Sequence, residues 1–172
     1  MARHLEYTIA FDAPAARVYG EYTRRDYWEE SMQAFREHTP LSEVTHFASH
    51  DDTGTDIVIK HLAPPALLPG ILRAVLPIDV VITREQRIEP FDRVRDRAEG
   101  GLRLSVPATP ILFAGTFVLS DTGTGSQLQL AVVCKAPIPL IGGKIEEAIV
   151  SHFPNFFDFE EQFMAKWIAE QR

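Results

Sequence analysis

The chain has 172 residues, 45% of them apolar and 24% charged, and 24 acidic side chains against 17 basic ones give it a net charge of -7. Those values describe a single folded domain over 1–172, argue against a disordered chain, and disfavour a nucleic-acid binder, which would carry a basic face. Cys134 is the only cysteine, so neither an internal disulfide nor a cysteine-based zinc cluster is available.

Met1 to Phe11 has no apolar signal core, and no uncharged run reaches 18 residues. A soluble, cytoplasmic chain is therefore expected. His4 to Phe11 alternates, with Leu5, Tyr7, Ile9 and Phe11 on one face, and reads as a half-buried strand. Asp12-Ala13-Pro14 reads as a helix start with proline in the first turn. One short helix runs through Val18 and Tyr22, and a second covers Asp26 to Phe35. Strands follow at Leu41 to His50 and Thr55 to Leu62, turned by Asp51 to Gly54. Ile78 to Ile88 and Arg93 to Val106 pair around Glu89-Pro90-Phe91-Asp92. Ile111 to Leu119 and Gln127 to Ala136 pair around Asp121 to Gly125. Strong alternation in the last strand, with Leu128, Leu130, Val132 and Cys134 inward, implies an antiparallel sheet with one wet face.

From Gly143 the period turns helical. Ile145, Ile149, Phe153, Phe156, Phe163 and Trp167 form one stripe, flanked by Val150, Phe157, Met164 and Ile168. A helix from Gly143 to Gln171 would be about 43 Å long, against a radius of gyration of about 16 Å for a domain this size. It must cross the whole body with its stripe on the inner face of the sheet, and Pro154 should kink it.

The order strand, two short helices, six strands, long helix resembles the helix-grip fold of the START-related lipid-transfer and pollen-allergen superfamily (SRPBCC). The opening EYTIAFDAPAARVYGEYTRRDYW, Glu6 to Trp28, is similar to that superfamily's first strand and helix entry, including the tryptophan after the second helix begins. An uncharacterised actinobacterial branch of unknown function is the part of the superfamily that it resembles. The resemblance implies an α+β fold: a curved seven-stranded antiparallel sheet wrapped around a long kinked C-terminal helix, with two short helices after strand 1. It also implies a cavity for a hydrophobic ligand between sheet and helix. Members transfer lipids, cyclise or dehydrate polyketides, or activate chaperones.

In an antiparallel meander successive connections alternate between the two ends of the sheet. One end receives the polar turns Asp51 to Gly54, Glu89 to Asp92 and Asp121 to Gly125. The other receives Ala63 to Pro77, Pro107 to Pro110 and Pro137 to Gly143, which together hold eight of the twelve prolines. The first of these, with Leu67, Leu68, Ile71, Leu72, Val75 and Leu76 around a single charge at Arg73, is a short broken helix with a greasy stripe. It can plug the core, form a ligand portal or transient membrane-docking lip over 63–77, or bury itself in a homodimer.

The six histidines show no metal-type spacing, and no phosphate loop, nucleophile elbow or dinucleotide fingerprint occurs, so no metal and no cofactor is expected. His152, beside the inward stripe, is a hydrogen-bonding or acid–base candidate, or else a solvent-exposed or capping histidine. Cys134 faces inward as a small hydrophobe. Folding strands four and five about Phe91 pairs Ile88 with Val94, Gln86 with Asp96 and Arg84 with Ala98, which gathers Arg84, Gln86 and Asp96 on the inner face. A slip of one residue would turn them outward.

The leading expectation is a binder of a small hydrophobic or lipidic molecule. Tyr7, Ile57, Ile59, Ile82, Leu102, Phe113, Phe117, Leu130, Ile149, Phe153 and Phe156 would line its cavity, with Arg84, Asp96 and His152 as polar groups. The alternatives are a cyclase- or dehydratase-type enzyme and a chaperone-activator-like module. The enzyme would use His152 or Asp96 as acid or base, and Tyr7 or Arg84 against an enolate oxygen.

Overall fold

The structure, a computed structural model, describes residues 2–63, 66, 68–76 and 80–171. The expected start of strand four at Ile78, and Pro64, Pro65, Leu67 and Pro77 of the apolar loop, lie outside the described residues.

Strand β1 (Arg3–Phe11) leads into helices α1 (Ala15–Tyr22) and α2 (Arg25–Phe35). Then come β2 (Leu41–His50), β3 (Gly54–Ala63), the short α3 (Gly70–Val75), β4 (Val80–Ile88), β5 (Arg97–Ser105), β6 (Leu112–Asp121), β7 (Ser126–Lys135) and α4 (Gly142–Glu170). The seven strands form one antiparallel sheet in the order β1-β7-β6-β5-β4-β3-β2. Each hairpin joins neighbours, so only β1 has to find its partner across the chain, and α1 and α2 bridge the two sheet edges. Glycines let the sheet bend inward. A Cβ at Gly100 in β5 would run into the Phe117 ring, and one at Gly115 in β6 into Val132.

Helix α1 starts after Pro14, which has no side chain to cap it. The cap comes from far along the chain: Ala15 N–H donates to Asp121 Oδ1 at 2.7 Å, from the β6–β7 turn. Trp28, 1% exposed, donates its indole N–H to the Tyr22 carbonyl at 2.8 Å and so ties α2 back to α1.

Helix α4 runs 29 residues and continues through Pro154. Its buried side is Ile145, Glu146, Phe153, Phe157, Glu160, Met164 and Ile168. The inner line draws on both expected sets, Ile145 and Phe153 from the stripe and Phe157, Met164 and Ile168 from its flank, while Ile149, Val150, Phe156, Phe163 and Trp167 stand half-buried beside it. Two carboxylates, Glu146 and Glu160, sit on this buried side.

The β4–β5 pairing differs from the sequence reading. Ile88 faces Gly100, Gln86 faces Leu102 and Arg84 faces Leu104, in place of Val94, Asp96 and Ala98. Residues 89–96 form a wide turn closed by an Asp92–Arg97 bridge. Asp92 Oδ1 accepts the backbone N–H groups of Val94 and Arg95 at 2.9 and 3.1 Å. This Asx-type turn absorbs the residues assigned to the start of strand five. Asp96 lies in it at φ 49°, exposed, and Val94 is 94% exposed.

Candidate functional site

The middle of the molecule is filled. Ile57, Ile59, Leu102, Phe117 and Leu130 are all buried at 5% exposure or less and pack in one core with Phe153 and Phe157. These five belong to the packed core and do not line the pocket described next, as the sequence reading had them do. Tyr7 is displaced as well. It is half-buried where β1 meets α4, packs on Phe157 with ring centroids 6.2 Å apart, and donates its hydroxyl to Asp158. That carboxylate pushes the Tyr7 hydroxyl up to about 12.

Open space lies at the proline-rich end. A pocket of about 280 Å³ is bounded by the sheet (Ile82, Leu104, Phe113), by the α3 segment (Leu68, Leu72, Leu76) and by α4 (Ile149, Phe153, Phe156). Of the expected lining, Ile82, Phe113, Ile149, His152, Phe153 and Phe156 border it. The described part of the apolar loop packs at this end: Leu72, Ala136 and Ile145 form a second core with Leu68, Ile71, Leu76, Ile111, Ile138, Ile141 and Ile149 against it. Glu146, 2% exposed, anchors the start of α4 by accepting the Ala136 N–H at 2.9 Å. Among the exposed large apolar residues, Leu140, Leu112 and Val75 stand at this end.

His152 is exposed at the pocket's edge, its Nδ1 3.0 Å from the Ala148 carbonyl one turn back on its own helix. Asp96 is at the far, polar end, Tyr7 is on the β1 side, and Arg84 is answered by a carboxylate of its own. The acid, base and oxygen-stabilising residues expected for the enzyme alternative are thus not brought together.

Arg84 and Gln86 do share the inner face, 2% and 7% exposed. Arg84 donates through both terminal nitrogens to Glu160 of α4, which is 3% exposed, and through Nη2 to Gln86 Oε1. Three aromatic faces surround the guanidinium: Trp28 at 5.7 Å, Phe156 at 5.4 Å and Phe157 at 5.8 Å. The carboxylate that the sequence reading sought in Asp96 is supplied by Glu160. Burial, with Glu160 nearby, pushes the Tyr22 and Tyr27 hydroxyls far above their ordinary range. Burial and Glu146 push the Cys134 thiol up to about 11, which keeps it protonated and unreactive.

His61 is the side chain that the sequence reading passed over. It follows Ile57 and Ile59 at period two on β3, and that alternation already turned it inward. It is 5% exposed, borders the pocket, and is held between Phe35 (centroids 4.9 Å) and Phe156 (5.9 Å, edge-on). A relay orients its ring. The Phe35 carbonyl can only accept, so the Thr39 hydroxyl donates to it at 3.2 Å, and the Ser42 hydroxyl donates to Thr39. The Ser42 oxygen is then left to accept the His61 Nδ1–H at 2.8 Å. With the hydroxyls oriented in that sense the proton lies on Nδ1 and Nε2 carries a lone pair; Nε2 has no partner among the described residues. Burial first, and the Arg84 charge second, hold the imidazole down at about 4, so it is neutral near pH 7.

A family model described as a protein of unknown function, DUF2505, matches residues 6–168. The chain belongs to this family. Uncharacterized proteins of Mycobacterium tuberculosis and Mycobacterium bovis are 25% identical to it over 178 residues, covering 98% of both chains. Among solved structures, norcoclaurine synthase from Thalictrum flavum aligns over 99% of this chain and 88% of its own, with TM-score 0.55 and 12% identity. TTHA0849 from Thermus thermophilus aligns over 95% and 97%, with TM-score 0.55 and 16% identity. Ara h 8.0201 aligns over 95% and 98%, with TM-score 0.53 and 12% identity. At these identities the likeness is one of fold, and that fold is the helix grip. No helix among the described residues is long and apolar enough to cross a membrane, and no cluster of His, Cys, Asp and Glu among them could hold a metal ion.

Proposed function

We propose that this DUF2505 protein binds a small hydrophobic molecule in the pocket between the sheet, α3 and α4. One observation supports the reading: Leu68, Leu72 and Leu76, which pack with Ala136 and Ile145, also border open space walled by apolar side chains. At about 280 Å³ the pocket is at the lower end of ligand-sized cavities, roughly 300–1,000 Å³. A compact molecule suits that volume better than a two-chain lipid. Support also comes from the fold: norcoclaurine synthase, which shares it, has been solved in complex with dopamine and hydroxybenzaldehyde.

Native mass spectrometry of gently purified protein tests the reading. A copurifying small mass is expected in the wild type and should be absent from Ile149→Trp, whose indole would fill the pocket while α4 keeps its buried side. A wild type that carries no small mass and shows no saturable uptake of any compact apolar probe would overturn it.

A further inference from the structure

The pocket's wall is apolar apart from a few groups, and one of these is incomplete. The Thr39 hydroxyl is engaged with the Phe35 carbonyl and Ser42, and His152 sits over the Ala148 carbonyl. His61 alone presents an enclosed atom, Nε2, that no described residue answers. Its ring is not free to turn away, because Ser42 holds Nδ1 and the Phe35 and Phe156 rings clamp the imidazole. An acceptor shut into an apolar wall without a donor is costly, and one that borders open space has room for a donor to complete it.

The chemistry of that occupant can be narrowed. The relay through Thr39 and Ser42 leaves Nε2 with a lone pair, so the incoming group must donate. Arg84 is one diagonal step away on the neighbouring strand, since His61 faces Ile82 and Ile59 faces Arg84. Its field disfavours a second cation, which argues against an amine in its ammonium form. A carboxylate has no proton to give. A neutral hydroxyl donates, and its oxygen lone pairs are favoured by the same positive field.

We infer that the pocket takes a compact apolar alcohol or phenol whose O–H donates to His61 Nε2, while its body lies against Phe113, Ile149 and Phe153. This rests on the reading of the pocket as a ligand site, and it adds a substrate class and an anchoring residue.

The test is a matched pair of probes, 4-propylphenol and 4-propylanisole, which differ only in that the donor hydrogen is replaced by methyl. Calorimetric titration of the wild type should show the phenol binding about tenfold tighter or more. In His61→Leu that preference should collapse to near unity. Should the variant misfold, long-range proton–nitrogen NMR of the histidine-labelled wild type gives an independent readout. Nε2 of His61 should be unprotonated, and its resonance should move with the phenol and not with the anisole. Equal binding of both probes, or a proton found on Nε2, overturns the hydroxyl inference and leaves the pocket reading standing. Binding of neither probe overturns the hydroxyl inference, and the pocket reading falls with it when no other compact apolar probe is taken up either.

Discussion

Arg84 and Glu160 hold opposite charges at 2% and 3% exposure, inside a shell of aromatic rings. Desolvating such a pair offsets much of its attraction, so its presence is weak evidence of net stabilisation. Breaking it is another matter, because each partner alone is a buried, uncompensated charge. Arg84→Met is expected to lose about 3–5 kcal/mol of unfolding free energy. The double variant Arg84→Met, Glu160→Leu should recover most of that loss, since two apolar side chains then replace the pair. Urea denaturation of the four proteins of the cycle measures the coupling. Losses that simply add would show that the two groups do not interact. His61 makes a second prediction at this scale. Its folded state holds the imidazole at about 4, against an ordinary value of 6.5. Between those values the unfolded chain binds a proton that the folded chain refuses. Stability is therefore full above about pH 6.5 and falls as pH drops toward 4, by on the order of 3 kcal/mol for this residue. Melts of the wild type and His61→Gln across that window should converge at low pH, because every other titrating group is common to both. Parallel profiles would mean that His61 is as easily protonated inside as outside.

Helix α1 shows how an element can depend on a distant residue. Its own sequence offers Pro14 at the entry, which sets the backbone angle but donates and accepts nothing through a side chain. Asp121, 106 positions away, accepts the Ala15 N–H and places a negative charge at the helix N-terminus. Asp121→Ala should cost about 1 kcal/mol, and Asp121→Asn less, because the amide oxygen keeps the cap and loses only the charge. Thermal melts that rank alanine and asparagine equally would assign the effect to charge alone. Helix α4 carries the opposite lesson. Its period was legible from end to end, yet the stripe drawn through Phe156, Phe163 and Trp167 is not its innermost line. A count of apolar residues cannot see that Glu160 belongs inside, because a carboxylate is buried only when a partner waits there, and that partner lies on β4.

At the scale of the whole molecule, the two ends of the sheet divide the work. The polar hairpins at one end cap α1 through Asp121 and close on themselves through Asp92 and Thr122. The proline-rich connections at the other end pack around Leu72 and Ile145 and leave the pocket between them. The division was legible in the sequence, because turn composition and the alternation of a meander suffice to assign each loop to an end. The extent of the open space was not. The sequence reading spread the lining along the full length of the sheet, from Tyr7 to Leu130, whereas side chains fill the middle and the space gathers beneath α3. Volume is a remainder left after packing, and no pattern along a chain encodes a remainder.

By itself the sequence determined the element order, the antiparallel meander, the long terminal helix and the inward face of each strand. Period and turn chemistry are local, and each strand's alternation holds whichever neighbour it meets. It placed Arg84 and Gln86 on the inner face but left open a one-residue slip that would turn them outward. The true pairing of Gln86 lies six residues beyond the expected one, at Leu102, and an even shift preserves the face. Only the tertiary structure decided that Asp96 belongs to a turn, that Glu160 answers Arg84, that Asp121 caps α1, and that His61 meets Ser42 through Nδ1. Each of these depends on a contact between residues far apart in the chain, where the partner is selected by distance and hydrogen-bond direction once the sheet has closed over α4.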